Sequence, residues 1–290
     1  MSERVGQGGR AATIVVTGAS SGIGQAAAIE LARRGAVVTP VGRDAKRLDA
    51  AKERIRAAAA GPTGEPIVAD FALLDDVRRL AAELLDRHER IDVLVNNAGL
   101  VADRRRLTAD EHELTFQVNH LAPFLLTNLL LDRLRSSAPA RVVTTSSDAH
   151  HSGRIDFEDL SGERSWSAMR AYSSSKLANV LFTHALARRL DGSGVTANCL
   201  HPGVVRTRLA ARANPVLALG WTLAKPFFRS PQGGAATLVH LAAHPDGAEF
   251  SGTYFADSRI KAPRLDAVDD ELSERLWRAS EDLVGLTRSR

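Results

Sequence analysis

Along most of the chain, short runs of apolar and β-branched residues alternate with longer stretches in which apolar positions recur every three or four residues. The first run, Thr13-Ile14-Val15-Val16, stops at Thr17-Gly18, and residues 23–34 then carry helical spacing until Gly35 ends it. The same alternation predicts strands over 36–41, 66–69, 91–95, 141–145, 195–200 and 253–256, with helices over 44–60, 73–88, 171–190 and 231–244. Thr108-Ala-Asp-Glu111 reads as a capping box that opens a long helix toward Leu134. Ser230-Pro231 reads as an N-cap followed by proline at the first helical position. Repeated strand–helix units need crossover connections, which are right-handed and place helices on both faces of a parallel sheet. The expected fold is therefore α/β, a single doubly wound, mainly parallel sheet of seven strands. Pro40 fits this poorly, because the second strand is interior and proline removes a ladder hydrogen bond; the end of the strand would tolerate it.

No internal repeat or composition break divides the pattern, so one domain is expected over 12–256, preceded by a flexible lead (1–11) and followed by a partly helical tail (257–290). A chain of 290 residues that is 44% apolar has ample material for a core, which excludes disorder over most of its length. The single Cys199 excludes an internal disulfide and suits a reducing, cytoplasmic setting, with Cys199 itself a small buried residue of the sixth strand. Of the 38 basic residues only five are lysines, but the arginines are scattered among 34 acidic residues rather than gathered in a stripe, so no nucleic-acid partner is expected. No apolar run approaches the length of a transmembrane span, and residues 1–11 contain no signal-like stretch.

In a doubly wound sheet the ligand sits beyond the carboxyl ends of the strands, so the loop after the first strand carries the most information. That loop is Thr17-Gly18-Ala19-Ser20-Ser21-Gly22-Ile23-Gly24. Its glycines allow a tight turn and close approach of a phosphate, while the following helix offers unpaired N–H groups. Set between a strand and a helix, the GxxxGxG spacing points to a dinucleotide site in a Rossmann-type sheet. The end of the second strand then selects the dinucleotide: an acidic residue would bind a ribose 2′-hydroxyl, an arginine a 2′-phosphate. Gly42-Arg43, with Lys46 and Arg47 close behind, predicts NADP(H) over NAD(H); the plainer reading of Arg43 is an exposed start to the next helix. Tyr172 and Lys176, four apart, share one helical face. A free phenol with pKa near ~10 is a poor base at neutral pH, and a nearby ammonium is expected to lower it.

TGASSGIG at 17–24, NNAG at 96–99, Tyr172-Ser-Ser-Ser-Lys176 and Pro202-Gly203 stand in the order and spacing of the short-chain dehydrogenase/reductase superfamily, and the chain resembles that family over about residues 12–256. More narrowly, Arg141-Val-Val-Thr-Thr-Ser-Ser-Asp-Ala-His-His, the stretch 172–190 and His201-Pro-Gly-Val-Val-Arg-Thr207 resemble the retinol-dehydrogenase-like branch. That branch includes the retinol dehydrogenases and the oxidoreductase domain of the WW-domain-containing protein. The resemblance implies Tyr172 as proton donor or base, Lys176 as the residue that tunes it and holds the nicotinamide ribose, Ser147 as the serine that polarises a carbonyl, and Asn119 as support for a water-mediated proton relay. It implies a cofactor site of Gly18, Ser20, Ser21, Gly22, Ile23, Gly24, Arg43, Asp70, Phe71, Asn97, Ala98, Gly99, Tyr172, Lys176, Pro202, Gly203, Val205 and Thr207. Ser146 then takes a packing role, and Asn97 and Gly99 are partly structural. Ser147 and Tyr172 lie farther apart than in many relatives, which reads as an insertion over about 152–169 near the substrate mouth.

The function expected is hydride exchange between NADP(H) and a carbonyl or alcohol carbon of a small, hydrophobic molecule. A non-catalytic sensor or scaffold, and another chemistry such as epimerisation, dehydration or double-bond reduction, remain as alternatives on the same fold. A homodimer is the commonest state of soluble oligomers in general. The apolar stretch 216–228, within a region 206–229, reads as a substrate lid, as core packing or as a membrane or partner contact. His240 and His244 have a metal-like spacing without an evident third ligand, so no metal is expected. His150-His151 line a pocket or lie on the surface, and Arg104-Arg105-Arg106 forms a solvated loop near the site mouth.

Overall fold

The structure is a computed structural model that describes residues 6, 7, 10–203 and 229–286. A two-residue ribbon, Gly6–Gln7 against Arg10–Ala11, precedes the sheet. The sheet strands are β1 (Thr13–Thr17), β2 (Val37–Gly42), β3 (Ile67–Val68), β4 (Val93–Asn96), β5 (Ala140–Thr145), β6 (Val195–His201), β7 (Tyr254–Ala256) and β8 (Arg259–Ile260). They lie in the order β8-β7-β6-β5-β4-β1-β2-β3. Seven are parallel, as the alternating pattern requires. The described residues add an eighth, since the chain reverses at Asp257 and Ser258, both with positive φ, and returns as antiparallel β8.

Strands that are buried on both faces should read as continuous apolar runs. In β1, Ile14, Val15 and Val16 are all fully buried, with Ile14 and Val16 in the core beneath α1 (Gly22–Arg33) and α7 (Pro231–Ala243), and Val15 in the core on the other face. That second core lies under α3 (Leu74–Arg87), the α4 run that begins at Leu114, and α6 (Ala168–Arg189). Pro40 stands in mid-strand, not at its end. Val37 N–H donates to the Ala12 carbonyl, so odd positions of β2 face β1 and Pro40 faces outward, where pairing with β3 begins only at Val41 and Ile67. The missing N–H therefore breaks no ladder bond.

The helix expected from Thr108 begins instead at Leu114. Residues 108–112 form a turn with Glu111 at φ 63°, Leu107 bridges Glu113, and the Glu113 carboxylate caps the helix by accepting from the Phe116 N–H at 2.8 Å. The α4 run comprises Leu114–Phe116, a π-helical stretch Gln117–Leu121 and Ala122–Leu129, followed by α5 (Leu131–Ser136). Pro123 cannot donate to the Asn119 carbonyl one turn before it, and the wider π turn accommodates that loss. Asn119 thus sits at a built irregularity in an otherwise buried helix.

A short α8 (Asp246–Glu249) follows α7, and α9 (Asp270–Leu283) closes the described chain by packing on α6 and α4. Its Leu276 and Trp277 belong to the same core cluster as Phe124 and Phe182. α2 (Ala45–Ala58) completes the layer beside α1.

Candidate active site

The carboxyl ends of β1, β4, β5 and β6 converge on one edge of the sheet. Thr17, at the end of β1, ties two of them together: its hydroxyl donates to the Val95 carbonyl and accepts from the N–H groups of Asn97 and Ala98 at 2.9 and 3.0 Å. The Asn97 amide donates to the Thr17 carbonyl at 3.0 Å. In the sequence Thr17 reads only as the start of a glycine loop, although its place at a strand end beside the switch point signals this role.

The glycines of the loop are sterically required. A Cβ on Gly18 would lie 2.9 Å from the Ala98 Cα, and one on Gly24 would lie 2.5 Å from both the Asn97 amide nitrogen and the Gly18 carbonyl oxygen. Ser21, the N-cap of α1, makes no side-chain bond to the helix, and the first turn carries no acidic residue. Its N–H groups are left for an anion. Ser20 abuts the end of β2, where a Cβ on Gly42 would stand 3.2 Å from the Ser20 hydroxyl. Arg43 is exposed there, without a hydrogen bond or ion pair among the described residues. The neighbouring acid, Asp44, is committed to capping α2 through the Arg47 N–H and to pairing with the Arg47 guanidinium. An open N-terminus, a cradle that side chains would fill and an unpaired arginine at the second strand fit a dinucleotide.

Other expected contacts divide. Asp70 spends one carboxylate oxygen on the Ala72 N–H, and the Phe71 side chain is buried in the core, with its carbonyl accepting from the Gln117 amide. Ile23 packs partly on the core beneath α1. Pro202 and Gly203 follow β6, with Gly203 at φ +81° and an added Cβ only 2.8 Å from Arg229. Val205 and Thr207, and the stretch 216–228, lie outside the described residues.

Ser147, Tyr172, Lys176 and Asn119 come together beneath this edge. Ser147 caps the short 3-10 turn Asp148–Ser152, and its hydroxyl lies near enough to the Tyr172 phenol to favour the ionised form of that phenol. The Lys176 ammonium lies 5.6 Å from the Tyr172 ring centre and donates to the Thr145 carbonyl at 3.0 Å. Asn119 clasps the backbone of Leu100, accepting its N–H at 2.8 Å and donating to its carbonyl at 3.0 Å. A Cβ on Gly99 would stand 3.1 Å from the Asn119 carbonyl oxygen and 3.7 Å from the Lys176 nitrogen, so the open space between these residues depends on that glycine. Ser146 is buried and donates to the Lys176 carbonyl, which gives it the packing role.

The electrostatics differ from expectation in one respect. Burial pushes the Tyr172 phenol above its ordinary value and outweighs the opposing influence of the nearby Ser147 hydroxyl, so the ammonium does not by itself produce a ready phenolate. Burial also pushes Lys176 down, to about 8. Lys176 is 4% exposed and has one carbonyl partner, so its charge costs stability. At pH 7 the group is protonated in both folded and unfolded chains and that cost is fully present; it fades as pH rises from 8 toward the ordinary lysine range. Lys176→Met is therefore expected to raise stability at pH 7 by about 1 kcal/mol or more. Denaturant unfolding at several pH values checks this, with the difference from the parent shrinking between pH 8 and 10.5.

His150 and His151 are neither a pocket pair nor a surface pair. His150 is fully buried, donating from Nδ1 to the Ser147 carbonyl and accepting the Arg264 N–H at Nε2, while His151 is exposed against its ring. The third group that His240 and His244 lacked in the sequence is Asp246, whose carboxylate oxygens lie 2.9 Å from a nitrogen of each ring. Arg105 is held by the Ser161 carbonyl and Arg106 by Asp103. The insertion packs on the outer side of the first turns of α6, where Ser174 bonds the Arg154 backbone, and with Glu113 and Phe116 it encloses a cavity of about 220 Å³.

The model of the short chain dehydrogenase family matches residues 12–217. The chain belongs to the short-chain dehydrogenase family. Within that family it is 44% identical to human retinol dehydrogenase 13 over 284 residues, covering 94% of this chain and 85% of the relative, which sets it in the retinol-dehydrogenase-like branch. Among solved short-chain dehydrogenase-like structures, an uncharacterised protein from Mycobacterium paratuberculosis superposes with a TM-score of 0.75 at 37% identity, over 94% of this chain and 93% of that one. A Pseudomonas aeruginosa structure described as an RhlG/NADP active-site complex has a TM-score of 0.67 at 30% identity, over 84% and 93%. Short-chain dehydrogenases bind an NAD(P) dinucleotide. No helix among the described residues is long and apolar enough to cross a membrane.

Proposed function

We propose that this protein is an NADP(H)-dependent oxidoreductase that exchanges hydride with a carbonyl or alcohol carbon of a hydrophobic small molecule. The observation that carries the reading is the meeting of Ser147, Tyr172, Lys176 and Asn119 beside the glycine loop at the carboxyl edge of the sheet. When bound, the nicotinamide supplies or accepts the hydride. The chain's own part is to orient and to move a proton. Ser147 donates to the carbonyl oxygen and so polarises it; Tyr172, which lies near Ser147, delivers a proton to the same oxygen. The raised phenol suits this direction, because it keeps Tyr172 protonated at neutral pH. In the oxidative direction the same group is the base, and turnover is expected to rise with pH as the phenolate forms. Lys176 holds ribose hydroxyls, and Asn119 fixes the loop at Leu100 that borders them.

Preference for NADP(H) rests on Arg43, which has no partner among the described residues at the end of β2, with Asp44 turned away into its cap. A charge-assisted bond to a 2′-phosphate contributes about 1.5–3 kcal/mol, and exposure favours the lower end. Arg43→Ala is expected to lower kcat/KM for NADPH by roughly 10-fold while changing that for NADH less than 2-fold. Steady-state kinetics with both dinucleotides and a panel of aldehydes, including all-trans-retinal, checks both claims; equal efficiency with NADH and NADPH in the parent protein would refute the preference.

A further inference from the structure

Two bonds to β6 bracket Ser147. On its N-terminal side, the Ser146 N–H donates to the Leu200 carbonyl at 2.7 Å. On its C-terminal side, the Asp148 N–H donates to a side chain, Nδ1 of His201, at 3.2 Å. His201 is the last residue of β6, directly before Pro202-Gly203. Because Nδ1 accepts, the imidazole is neutral with its proton on Nε2, which points to an Asp148 carboxylate oxygen 3.5 Å away. That carboxylate is fixed in turn by the Tyr254 hydroxyl at 2.7 Å and the Lys261 ammonium at 3.4 Å. One of these two bonds to β6 is thus made by a titratable ring, while the Ser147 carbonyl is held separately by the buried His150 Nδ1 at 2.8 Å.

We propose that His201 is a positioning residue: its neutral imidazole holds the Asp148 N–H and so sets the Ser147 hydroxyl against Tyr172, and its protonation releases that hold. The proposal rests on the oxidoreductase reading above. A proton on Nδ1 would place one N–H against another, removing the acceptor, and the new charge would draw the ring toward the Asp148 carboxylate instead. Either movement shifts the turn that begins at Ser147. Among the described residues, Asp148 and Asp257 face His201 and favour its protonation, while Lys261 and Arg229 oppose it; Tyr254 reaches it only through Asp148. Opposite charges are balanced in number, so burial, the largest influence, sets the direction and moves the titration below the ordinary histidine range. The neutral, holding form therefore prevails at pH 7 and is lost in acid.

The test uses the full chain reducing all-trans-retinal with NADPH between pH 5 and 8, a direction in which Tyr172 acts as an acid and contributes only an alkaline limb. Parent kcat is expected to fall in acid. His201→Ala is expected to lower kcat at pH 7.5 about 10-fold and to flatten the acid limb, with KM for NADPH changed less than about 2-fold. His201→Asn offers its amide oxygen near the place of Nδ1 and does not titrate; it is expected to recover kcat to within about 3-fold of the parent and to show no acid limb. Recovery by asparagine also separates positioning from a loss of folding. An asparagine variant as impaired as alanine, or one that keeps the parent's acid limb, would overturn the proposal while leaving the oxidoreductase reading intact. Full turnover by Tyr172→Phe, or no parent turnover of any aldehyde, would overturn that reading and this proposal with it.

Discussion

Tyr172→Phe is expected to lower kcat for carbonyl reduction by about 10²–10⁴-fold, the usual range for loss of a positioned general acid. The substitution keeps the ring that lies beside Lys176 and removes only the hydroxyl, which lies near Ser147. Folding and dinucleotide affinity should therefore change little, since the glycine loop and the Lys176 bond to Thr145 do not involve the phenol oxygen. The loss should appear in kcat and kcat/KM together, as it does when an interaction is made only in the transition state. Steady-state kinetics, with dinucleotide affinity followed by fluorescence, reads both. A variant with a normal kcat would remove Tyr172 from the mechanism, whatever its structural surroundings.

The second large effect concerns stability, and it lies far from the chemistry. Trp277→Ala is expected to destabilise the protein by about 3–5 kcal/mol, the range for truncating a buried large aromatic. Trp277 meets Phe124 edge-on at 4.9 Å between ring centres and stacks on Phe182 at 5.8 Å, with the Arg189 guanidinium 3.9 Å above its ring. Arg189 also grips Glu274 of α9 with two bonds of 2.6 and 2.7 Å. The helix covers His120, whose Nε2 bonds the Ser280 hydroxyl at 2.8 Å and which burial pushes down to about 3. In a chain of this size the loss corresponds to a fall in Tm of roughly 10 °C. Thermal unfolding of the variant measures it; a change below 1 kcal/mol would mean that α9 is an appendage rather than part of the core.

The doubly wound order was legible because parallel strands buried on both faces leave runs such as Ile14-Val15-Val16 that no amphipathic element produces. The glycine loop was legible because its spacing falls between such a run and a helix. What escaped the sequence depends on local backbone geometry and on contacts that only the folded chain makes. The start of α4 turned on Glu111 adopting a left-handed backbone, a choice that a capping-box pattern does not reveal. The tolerance of Pro40 depended on where β3 begins to pair, and Asp246 met His240 and His244 only because α8 turns back on α7. The raised phenol of Tyr172 was likewise hidden, since burial is a tertiary quantity and it outweighed the charge that the four-residue spacing placed nearby.

The central claim is that a hydride passes between the nicotinamide and a carbon of the substrate. Its most direct test is incubation of the protein with an aldehyde panel and NADPH carrying deuterium at both hydrogen positions of the reactive nicotinamide carbon, followed by mass spectrometry of the products. The account predicts an alcohol carrying one deuterium on the former carbonyl carbon, formed in equal amount to the dinucleotide oxidised. A product without deuterium, or conversion with no net oxidation of NADPH, would contradict it.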